Sequence, residues 1–330
     1  MSERLRRFWI HEIASCGRGS EVGDTEKQLL TEPRPQGAIR DSRMHVLNLD
    51  EIRGRIDDGA VILRMREALI AQARGECSTP MPMHLDTANG GEVHMKSSYR
   101  RGGKYFALKM ASTFQGAGNG MMLLSSAETG EPVAYLADQG HLTDVRTAAV
   151  AAMVARELGR RDTSMGILGT GIQARLTARF HRHVLPIENI FLWGRDREKA
   201  ERCASEIGAT VVQSPAMLAA STRFIVTCTA ARAPLLFAGD LQPGTHISAV
   251  GSDSVGKQEL DPSILRQADL VLVDSRRQCQ KLGELQHAAD VRSVEIGSFC
   301  ESPRTAESSV ADFTGLGVED LFIAEMIYEG

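Results

Sequence analysis

The sequence contains no long apolar run, no long basic run and no paired-cysteine motif. No stretch of about 18 uninterrupted apolar residues occurs in the 330-residue chain, so we expect no transmembrane helix. Lys and Arg number 38 against 42 Asp and Glu, and this balance argues against nucleic acid as a partner. The six cysteines are scattered without a C-x-x-C pair. We therefore expect reduced thiols, no bound metal and a cytoplasmic location.

Residues 1–43 differ in composition from the rest of the chain. They combine Gly17-Arg18-Gly19, Pro33-Arg34-Pro35 and mixed charge with little periodicity. The apolar residues 8–10 are too few to form the apolar core of a signal peptide. We therefore expect residues 1–43 to be a disordered extension, or the result of a start codon placed too early.

From residue 46 onwards the apolar pattern becomes regular and divides into two parts. Strand-like runs at 92–99 and 104–112 flank a hairpin-type turn and predict a small, mainly antiparallel α+β unit. Residues 142–158 predict an Ala-rich helix. Downstream of that helix, strands and helices alternate, which predicts an α/β fold with a doubly wound parallel sheet.

The segment SMGILGTGIQA at 164–174 has the order of a dinucleotide-binding turn. A short apolar strand is followed by G-x-G-x-x-A at Gly169, Gly171 and Ala174, which opens a helix. Gly169 suits a tight turn, Gly171 allows a pyrophosphate to approach the backbone, and Ala174 allows the helix to pack closely. The alternative is a Gly-rich turn in another kind of α/β unit. In the preferred interpretation the ligand is NAD or NADP, with its phosphates on the free N–H groups of the helix start.

Ligands of a doubly wound sheet bind beyond the carboxyl ends of its strands, and several polar or small residues lie there. The residues that we expect to bind the cofactor are Gly169, Thr170, Gly171, Ile172, Gln173, Thr147, Arg195, Thr227, Thr229 and Val250. Arg195 ends the second strand, where an NAD-binding site usually has an acidic residue, so it favours the 2′-phosphate of NADP. Asp196 comes after it, and a helix N-cap is the alternative role of that residue.

Four charged residues lie in apolar or strand-end surroundings. Lys109 in FALKMAS and Lys96 in EVHMKSSY are either buried for a purpose or edge-strand lysines that prevent aggregation. Arg146 lies one turn into the Ala-rich helix, where a buried guanidinium needs a carboxylate or phosphate. Asp253 in VGSD suits a general acid or base if its pKa is shifted towards neutrality; otherwise it is an ordinary turn residue.

Five segments together resemble the ornithine cyclodeaminase/μ-crystallin family from about Met44 to the end of the chain. They are HLTDVRTAA at 141–149, GILGTGIQA at 166–174, AVGSDSVGKQELDP at 249–262, DLVLVDSRRQCQKLGEL at 269–285 and TGLGVED at 314–320. Within the family the chain is most similar to the branch associated with ectoine breakdown.

The resemblance implies a homodimer built from two domains. Residues 44–141 and 305–330 would form the substrate-binding and dimerisation domain, around an NAD(P)-binding Rossmann domain at 142–304. Lys109 and Arg146 would hold the substrate carboxylate, with His84 and Lys96 beside them. Asp253 would be the acid/base that acts on the imine, and Lys109 would share in catalysis.

Two departures from the family pattern bear on the substrate. Members usually carry an Arg in the segment here read PMPMHLD, where His84 stands, and the segment 295–311 is shorter than usual. The change at His84 disfavours ornithine. We therefore expect hydride transfer at Cα of a small amino or imino acid, by an imine reductase or amino-acid dehydrogenase. The alternatives are a cyclodeaminase that releases ammonia and recycles NAD internally, and a non-catalytic NADP(H)-dependent binding protein.

Overall fold

The structure is a computed structural model that describes residues 44–88, 90–115 and 117–330. The extension expected at residues 1–43 lies outside the described residues. In the part of the chain that is described, no helix combines the length and the apolar composition needed to cross a membrane.

The first part of the described chain forms a mixed sheet packed on two helices. Its strands are β1 (His45–Leu47), β2 (Cys77–Ser78), β3 (Met83–Asp86), β4 (Glu92–Arg100), β5 (Tyr105–Phe114), β6 (Ala117–Ser126) and β7 (Pro132–Leu136). The helices are α1 (Leu49–Gly54) and α2 (Asp58–Ala73). The strand order is β1-β7-β6-β5-β4-β2, and β3 pairs with the free part of the β4 edge. Only the β1–β7 pair of this sheet is parallel among the described strand pairs, so the expected antiparallel unit is present with one parallel addition.

The second part is an eight-stranded parallel sheet of the doubly wound type. Its strands are β8 (Ser164–Leu168), β9 (Asn189–Trp193), β10 (Thr210–Val211), β11 (Phe224–Thr227), β13 (His246–Ala249), β15 (Leu270–Val273), β16 (Val294–Glu295) and β17 (Ser309–Asp312). The order is β10-β9-β8-β11-β13-β17-β15-β16. From β8 the chain adds β9 and then β10 on one side. It then crosses back and adds β11 on the other side of β8, so the strand order reverses beside β8. A crevice for a ligand is expected at such a reversal.

Eight further α-helices and one small strand pair complete the described chain. The helices are α3 (His141–Glu157), α4 (Ile172–Val184), α5 (Arg197–Ile207), α6 (Pro215–Ser221), α7 (Pro262–Gln267), α8 (Arg276–Leu282), α9 (Ile296–Glu301) and α10 (Gly317–Glu329). The small pair is β12 (Arg232–Leu236) with β14 (Gln258–Leu260). The predicted α/β fold with a Rossmann-type sheet is confirmed.

Strand β17 changes one boundary that we expected from the sequence. The segment after residue 304 was expected to belong to the smaller domain, but β17 lies between β13 and β15 and is buried along its whole length. Its four residues, Ser-Val-Ala-Asp, have no alternation of apolar and polar side chains that would reveal a strand. We propose that the second domain boundary comes after Asp312 rather than at residue 304.

Helix α3 connects the two sheets and is buried on almost every side. It packs against α2, α4 and α10, and its alanines allow these helices to come close. Arg146 is the exception on this apolar helix, with an exposed fraction of 4%. The first turn of α3 therefore lies at a fixed place between the two parts of the fold.

Candidate functional site

A cavity of about 460 Å³ lies where the two sheets and the first turn of α3 meet. One wall comes from alternate residues of β4 and β5, and another from residues of α3. The remaining walls come from the start of α4, the segment after β13, and the segment between β17 and α10. The cavity thus lies beside the strand-order reversal of the parallel sheet.

The β4–β5 wall carries two lysines directly opposite each other. Lys96 pairs in register with Lys109 across the antiparallel ladder, so both side chains extend from the same face. Like charges at opposed positions are unfavourable. Lys96 Nζ is drawn aside by hydrogen bonds to the carbonyl oxygens of Thr314 at 3.0 Å and Gly315 at 2.9 Å. Both lysines line the cavity, but only the Nζ atom of Lys96 is taken up by these acceptors.

Lys109 is buried, with an exposed fraction of 3%, and lines the cavity. Among the described residues, no hydrogen-bond acceptor lies within reach of its Nζ atom. Burial lowers the pKa of Lys109 to about 8, helped by the charges of Lys96 and Arg146 and opposed by Asp320. At neutral pH the ammonium group is therefore charged and available to a ligand.

Arg146 is held by two carboxylates at the start of α10. Its Nε atom donates to Asp320 Oδ1 at 3.2 Å, and its Nη1 atom donates to Glu319 Oε2 at 3.0 Å. Both carboxylates are about as deeply buried as the guanidinium. Among the described residues, the Nη2 atom has no acceptor. Arg146 thus presents one unused edge of its guanidinium to the cavity that it lines.

The loop before α10 is fixed by backbone hydrogen bonds to a buried carboxylate. Asp274 Oδ2 accepts from the N–H of Thr314 at 2.7 Å and from that of Gly315 at 2.6 Å. Gly315 has a φ of +71°, and a Cβ there would lie 2.5 Å from Arg146 Nη1. A residue with a side chain at this position would therefore be strained and would displace the guanidinium.

Asp253 lines the cavity but is paired with a neighbouring lysine. Lys257 Nζ donates to Asp253 Oδ1 at 2.6 Å. Desolvation raises the pKa of Asp253, but Lys257, together with the charges of Lys96 and His94, lowers it, so the pKa lies below its ordinary value. The expectation of a pKa shifted towards neutrality is therefore wrong for this state of the protein, because Lys257 stabilises the ionised form.

His84 lies away from the cavity surface, contrary to its expected role in substrate binding. It is exposed on β3, where its Nε2 atom lies 2.9 Å from Asp86 Oδ1. Its neighbour His94 lines the cavity instead, with the two rings 4.5 Å apart between centroids. His94 was missed because the sequence shows no difference between the two faces of such a polar strand.

The G-x-G-x-x-A turn has the geometry that the sequence predicted. Gly169 has a φ of +133°, which favours glycine, and its N–H donates to Trp193 O at 2.9 Å. Gly171 is the N-cap of α4 and has no side-chain cap. A Cβ on Gly171 would meet no atom within 4 Å. The first N–H groups of α4 therefore face open space, as an anion at a helix start requires.

Gln173 connects this turn to α3. Its Nε2 atom donates to Asp144 Oδ1 at 3.2 Å and to Asp144 O at 3.2 Å. Its Oε1 atom is buried without a partner among the described residues. Both Gln173 and Asp144 line the cavity, so the polar contact joins the phosphate-binding turn to the charged wall.

The hydroxyl groups of Thr227 and Thr229 donate to a buried carboxylate, and their expected role as cofactor ligands stays a prediction. Their hydroxyls donate to Glu259 at 2.7 Å each, to different carboxylate oxygens. The N–H groups of Thr229 and Gly251 donate to the same carboxylate at 2.6 and 2.9 Å. Glu259 is fully buried, so the two threonines provide the hydrogen bonds that its carboxylate needs.

The remaining expected cofactor residues divide between the cavity and the surface. Thr147, Ile172 and Val250 line the cavity, although the Thr147 hydroxyl donates to Thr143 O at 2.8 Å. Thr170 lies outside the cavity lining and packs its methyl group over Gly194.

Arg195 is exposed at the end of β9 and has no ion-pair partner among the described residues. Asp196 accepts a hydrogen bond from the N–H of Lys199 at 3.1 Å, so it is the N-cap of α5. The carboxylate at this strand end is therefore used by the protein's own helix, and the guanidinium beside it remains free.

The substitution Arg146→Gln tests how strongly the buried charges hold the site together. Without the guanidinium, Glu319 and Asp320 would be buried together without a counter-charge. Breaking a buried ion pair in this way costs about 3–5 kcal/mol, and we expect that loss in the free energy of unfolding measured with urea.

Arg179→Gln is the matched control, because Arg179 forms a bidentate pair with Asp58 while its side chain is 52% exposed. Such surface pairs contribute about 0–1 kcal/mol. Equal losses in the two variants would contradict the structural role given to Arg146.

Comparison with known proteins places the chain in a family. The model of the "Ornithine cyclodeaminase/mu-crystallin family" matches residues 63–330. A Rhizobium meliloti protein named a dehydrogenase is 35% identical, covering 87% of this chain and 95% of its own length. A Sinorhizobium fredii protein named a cyclodeaminase is 36% identical, covering 76% and 84%. The structure of an archaeal alanine dehydrogenase dimer with bound NAD is 27% identical, covers 87% of this chain and 95% of its own, and superimposes with a TM-score of 0.78. The chain therefore belongs to the ornithine cyclodeaminase/mu-crystallin family.

Proposed function

We propose that the protein is an NAD(P)-dependent oxidoreductase that transfers a hydride at Cα of a small amino or imino acid. The observation that carries this proposal is the position of Lys109, Arg146 and Asp253 around one cavity that adjoins the G-x-G-x-x-A turn. A non-catalytic binding protein would not need a carboxylate and two cations arranged beside a dinucleotide turn.

The residues of the turn fit a dinucleotide. Gly171 leaves free the space that a Cβ would occupy, and α4 begins without a side-chain cap. The cavity continues from Ile172 and Gln173 to Val250, which lies at the end of β13. The bound nicotinamide supplies or accepts the hydride. Gly171 and the first turn of α4 would hold the pyrophosphate, and Val250 would line the nicotinamide end.

Lys109 and the free edge of Arg146 would bind the substrate carboxylate. Both are positively charged at neutral pH, and both are fixed by their surroundings rather than by each other. A charge-assisted contact to each would orient Cα with little loss of entropy at the moment of reaction.

Asp253 would act on the nitrogen as a proton acceptor. Its lowered pKa keeps it ionised at neutral pH, which suits a hydrogen bond from an iminium or ammonium group. Lys109, whose pKa is about 8, is the cavity group best suited to give up a proton near neutrality. Asp253 and Lys109 thus remain the two proposed catalytic residues. Asp253 accepts a proton, and Lys109 is the one that titrates near neutrality.

The choice between a reductase or dehydrogenase and a cyclodeaminase depends on the step after the first hydride transfer. His84 no longer weighs against ornithine as the substrate, because its side chain does not line the cavity. The relative named a cyclodeaminase makes that activity the alternative. We retain the reductase or dehydrogenase as the main proposal.

We further propose that the protein is a homodimer. The similar alanine dehydrogenase is a dimer. Large apolar side chains are exposed on the smaller sheet, namely Met83, Leu85, Leu108 and Phe114. A second copy would cover them. The cytoplasmic location also remains a proposal, supported by the free thiols at Cys77, Cys203, Cys228, Cys279 and Cys300.

The proposed function is tested by measuring two products at once. The protein is incubated with L-alanine, L-proline or L-ornithine and with NAD⁺ or NADP⁺, while nicotinamide absorbance and free ammonia are recorded. Net reduction of the cofactor by at least one amino acid supports the proposal. Ammonia from L-ornithine without net reduction supports the cyclodeaminase. If no combination gives net cofactor reduction or free ammonia, both the proposed activity and the cyclodeaminase alternative are contradicted.

Arg195→Ala tests the cofactor preference. Because Arg195 has no partner among the described residues, its loss should weaken binding of NADPH on the order of ten-fold while NADH changes little. Arg197→Ala is the control, since Arg197 Nε already donates to Glu201 at 2.8 Å. Equal loss for NADPH and NADH in the Arg195 variant would show that Arg195 does not bind a 2′-phosphate.

Lys109→Arg tests the pH dependence of carboxylate binding. Lys109 loses its proton as the pH rises through about 8, so kcat/KM for the amino acid should fall above that pH. Arginine stays charged, and the variant should lose this alkaline fall even if its rate at neutral pH is lower. An unchanged alkaline fall in the variant would mean that another group titrates.

A further inference from the structure

Most charged side chains around the cavity are already matched by the protein itself. Arg146 is paired with Glu319 and Asp320, and Lys257 is paired with Asp253. These pairs leave little net charge for a ligand to neutralise.

Most charged side chains that line the cavity are held by an opposite charge, by backbone groups or by a histidine, whereas two of opposite sign have none of these partners among the described residues. One is Lys109 on β5. The other is Asp144 in the first turn of α3, whose carboxylate has only the neutral amide of Gln173 as a partner. Burial raises the pKa of Asp144 to about 6, so the group is mainly ionised at neutral pH. The charges of Arg146 and Lys109 offset part of the cost of burying this carboxylate without forming an ion pair with it, and a cationic ligand in contact would offset more.

The place of Asp144 in its helix gives its carboxylate no capping role. Gly140 is the N-cap residue of α3 and provides no side-chain hydrogen bond to the helix start. The carboxylate that serves the helix start is Asp138, whose Oδ2 atom accepts from the N–H of Leu142 at 2.8 Å. Asp144 accepts no hydrogen bond from a backbone N–H of the described residues. Its side chain therefore caps no backbone N–H, and the helix dipole is the structural interaction that remains for it in the first turn.

A pair of opposite charges on one cavity matches an amino acid in its zwitterionic form. We infer that Asp144 binds the positively charged nitrogen of the substrate while Lys109 binds its carboxylate. This inference rests on the proposed function, and it adds that the site selects nitrogen-bearing acids over the corresponding oxygen-bearing acids. Selectivity arises because an oxygen ligand would leave Asp144 without a counter-charge.

Asp144 also links this selection to the phosphate-binding turn. Gln173 belongs to the turn and donates to Asp144 Oδ1. The same hydrogen bond orients the carboxylate, so its second oxygen is left for the substrate. Asp144 and Asp253 then have separate tasks: Asp144 provides the charge, and Asp253, already neutralised by Lys257, handles the proton.

The test compares two pairs of ligands in which the nitrogen of one member is replaced by oxygen in the other. The pairs are L-alanine with L-lactate and L-proline with tetrahydrofuran-2-carboxylate. Dissociation constants are measured by titration calorimetry on the full-length protein saturated with reduced cofactor, which cannot oxidise the ligand. The wild-type protein should prefer the nitrogen member of a pair on the order of ten- to a hundred-fold, the size of a charged hydrogen bond.

Asp144→Asn removes the charge and keeps an oxygen that can accept from Gln173. We expect this variant to lose the preference for the nitrogen member while its affinity for the cofactor stays within a few-fold. Glu92→Gln is the control, because Glu92 also lines the cavity, on the β4 wall, where its carboxylate lies 3.7 Å from His94. The control should keep the wild-type preference.

Each other outcome has a definite meaning. An unchanged preference in Asp144→Asn would overturn the inference and leave the proposed function intact. A loss of cofactor affinity with unchanged preference would assign Asp144 to the cofactor and overturn the inference as well. Failure of the wild-type protein to bind any of the four acids would overturn both the inference and the proposed function.

Discussion

The buried guanidinium of Arg146 is the constraint on which the site depends. It lies on α3, whose other buried residues are apolar, and such a charge is tolerated only when opposite charges meet it. Glu319 and Asp320 do so from the start of α10. The ion pairs therefore bring the last helix of the chain to the helix that connects the two sheets.

The same contact positions the rest of the charged wall. The loop that leads into α10 supplies the carbonyl oxygens that hold Lys96, and Asp274 holds the backbone of that loop. With Lys96 held by these carbonyl oxygens, Lys109 is the lysine of this opposed pair whose Nζ atom is left without an acceptor among the described residues. The protein thus accepts an unfavourable pair of like charges where a carboxylate is to be bound. Asp144 completes the arrangement with a negative charge on the neighbouring helix.

The features of the site that the sequence predicts are those encoded by local pattern. The G-x-G-x-x-A turn depends on residues within one segment, and Gly169, Gly171 and Ala174 lie at the strand end and helix start where the sequence predicts them. The cations were recognised because Lys109 and Arg146 interrupt apolar segments. Other features depend on partners far along the chain. Thr227 and Thr229 bind Glu259, some 30 residues away, so their hydroxyls could not be assigned from their strand ends. His84 and His94 both lie in polar strands, and the sequence carries no signal that His94 rather than His84 lines the cavity.

The most direct test of hydride transfer at Cα tracks the hydride itself. The protein is given reduced cofactor carrying deuterium at C4, prepared separately for each face of the ring, together with the imino acid related to L-alanine or L-proline. Transfer at Cα predicts an amino acid with one deuterium at Cα from one labelled face only, and one equivalent of oxidised cofactor, by mass spectrometry and NMR. Oxidised cofactor without deuterium at Cα, or no oxidation with either imino acid, would contradict it.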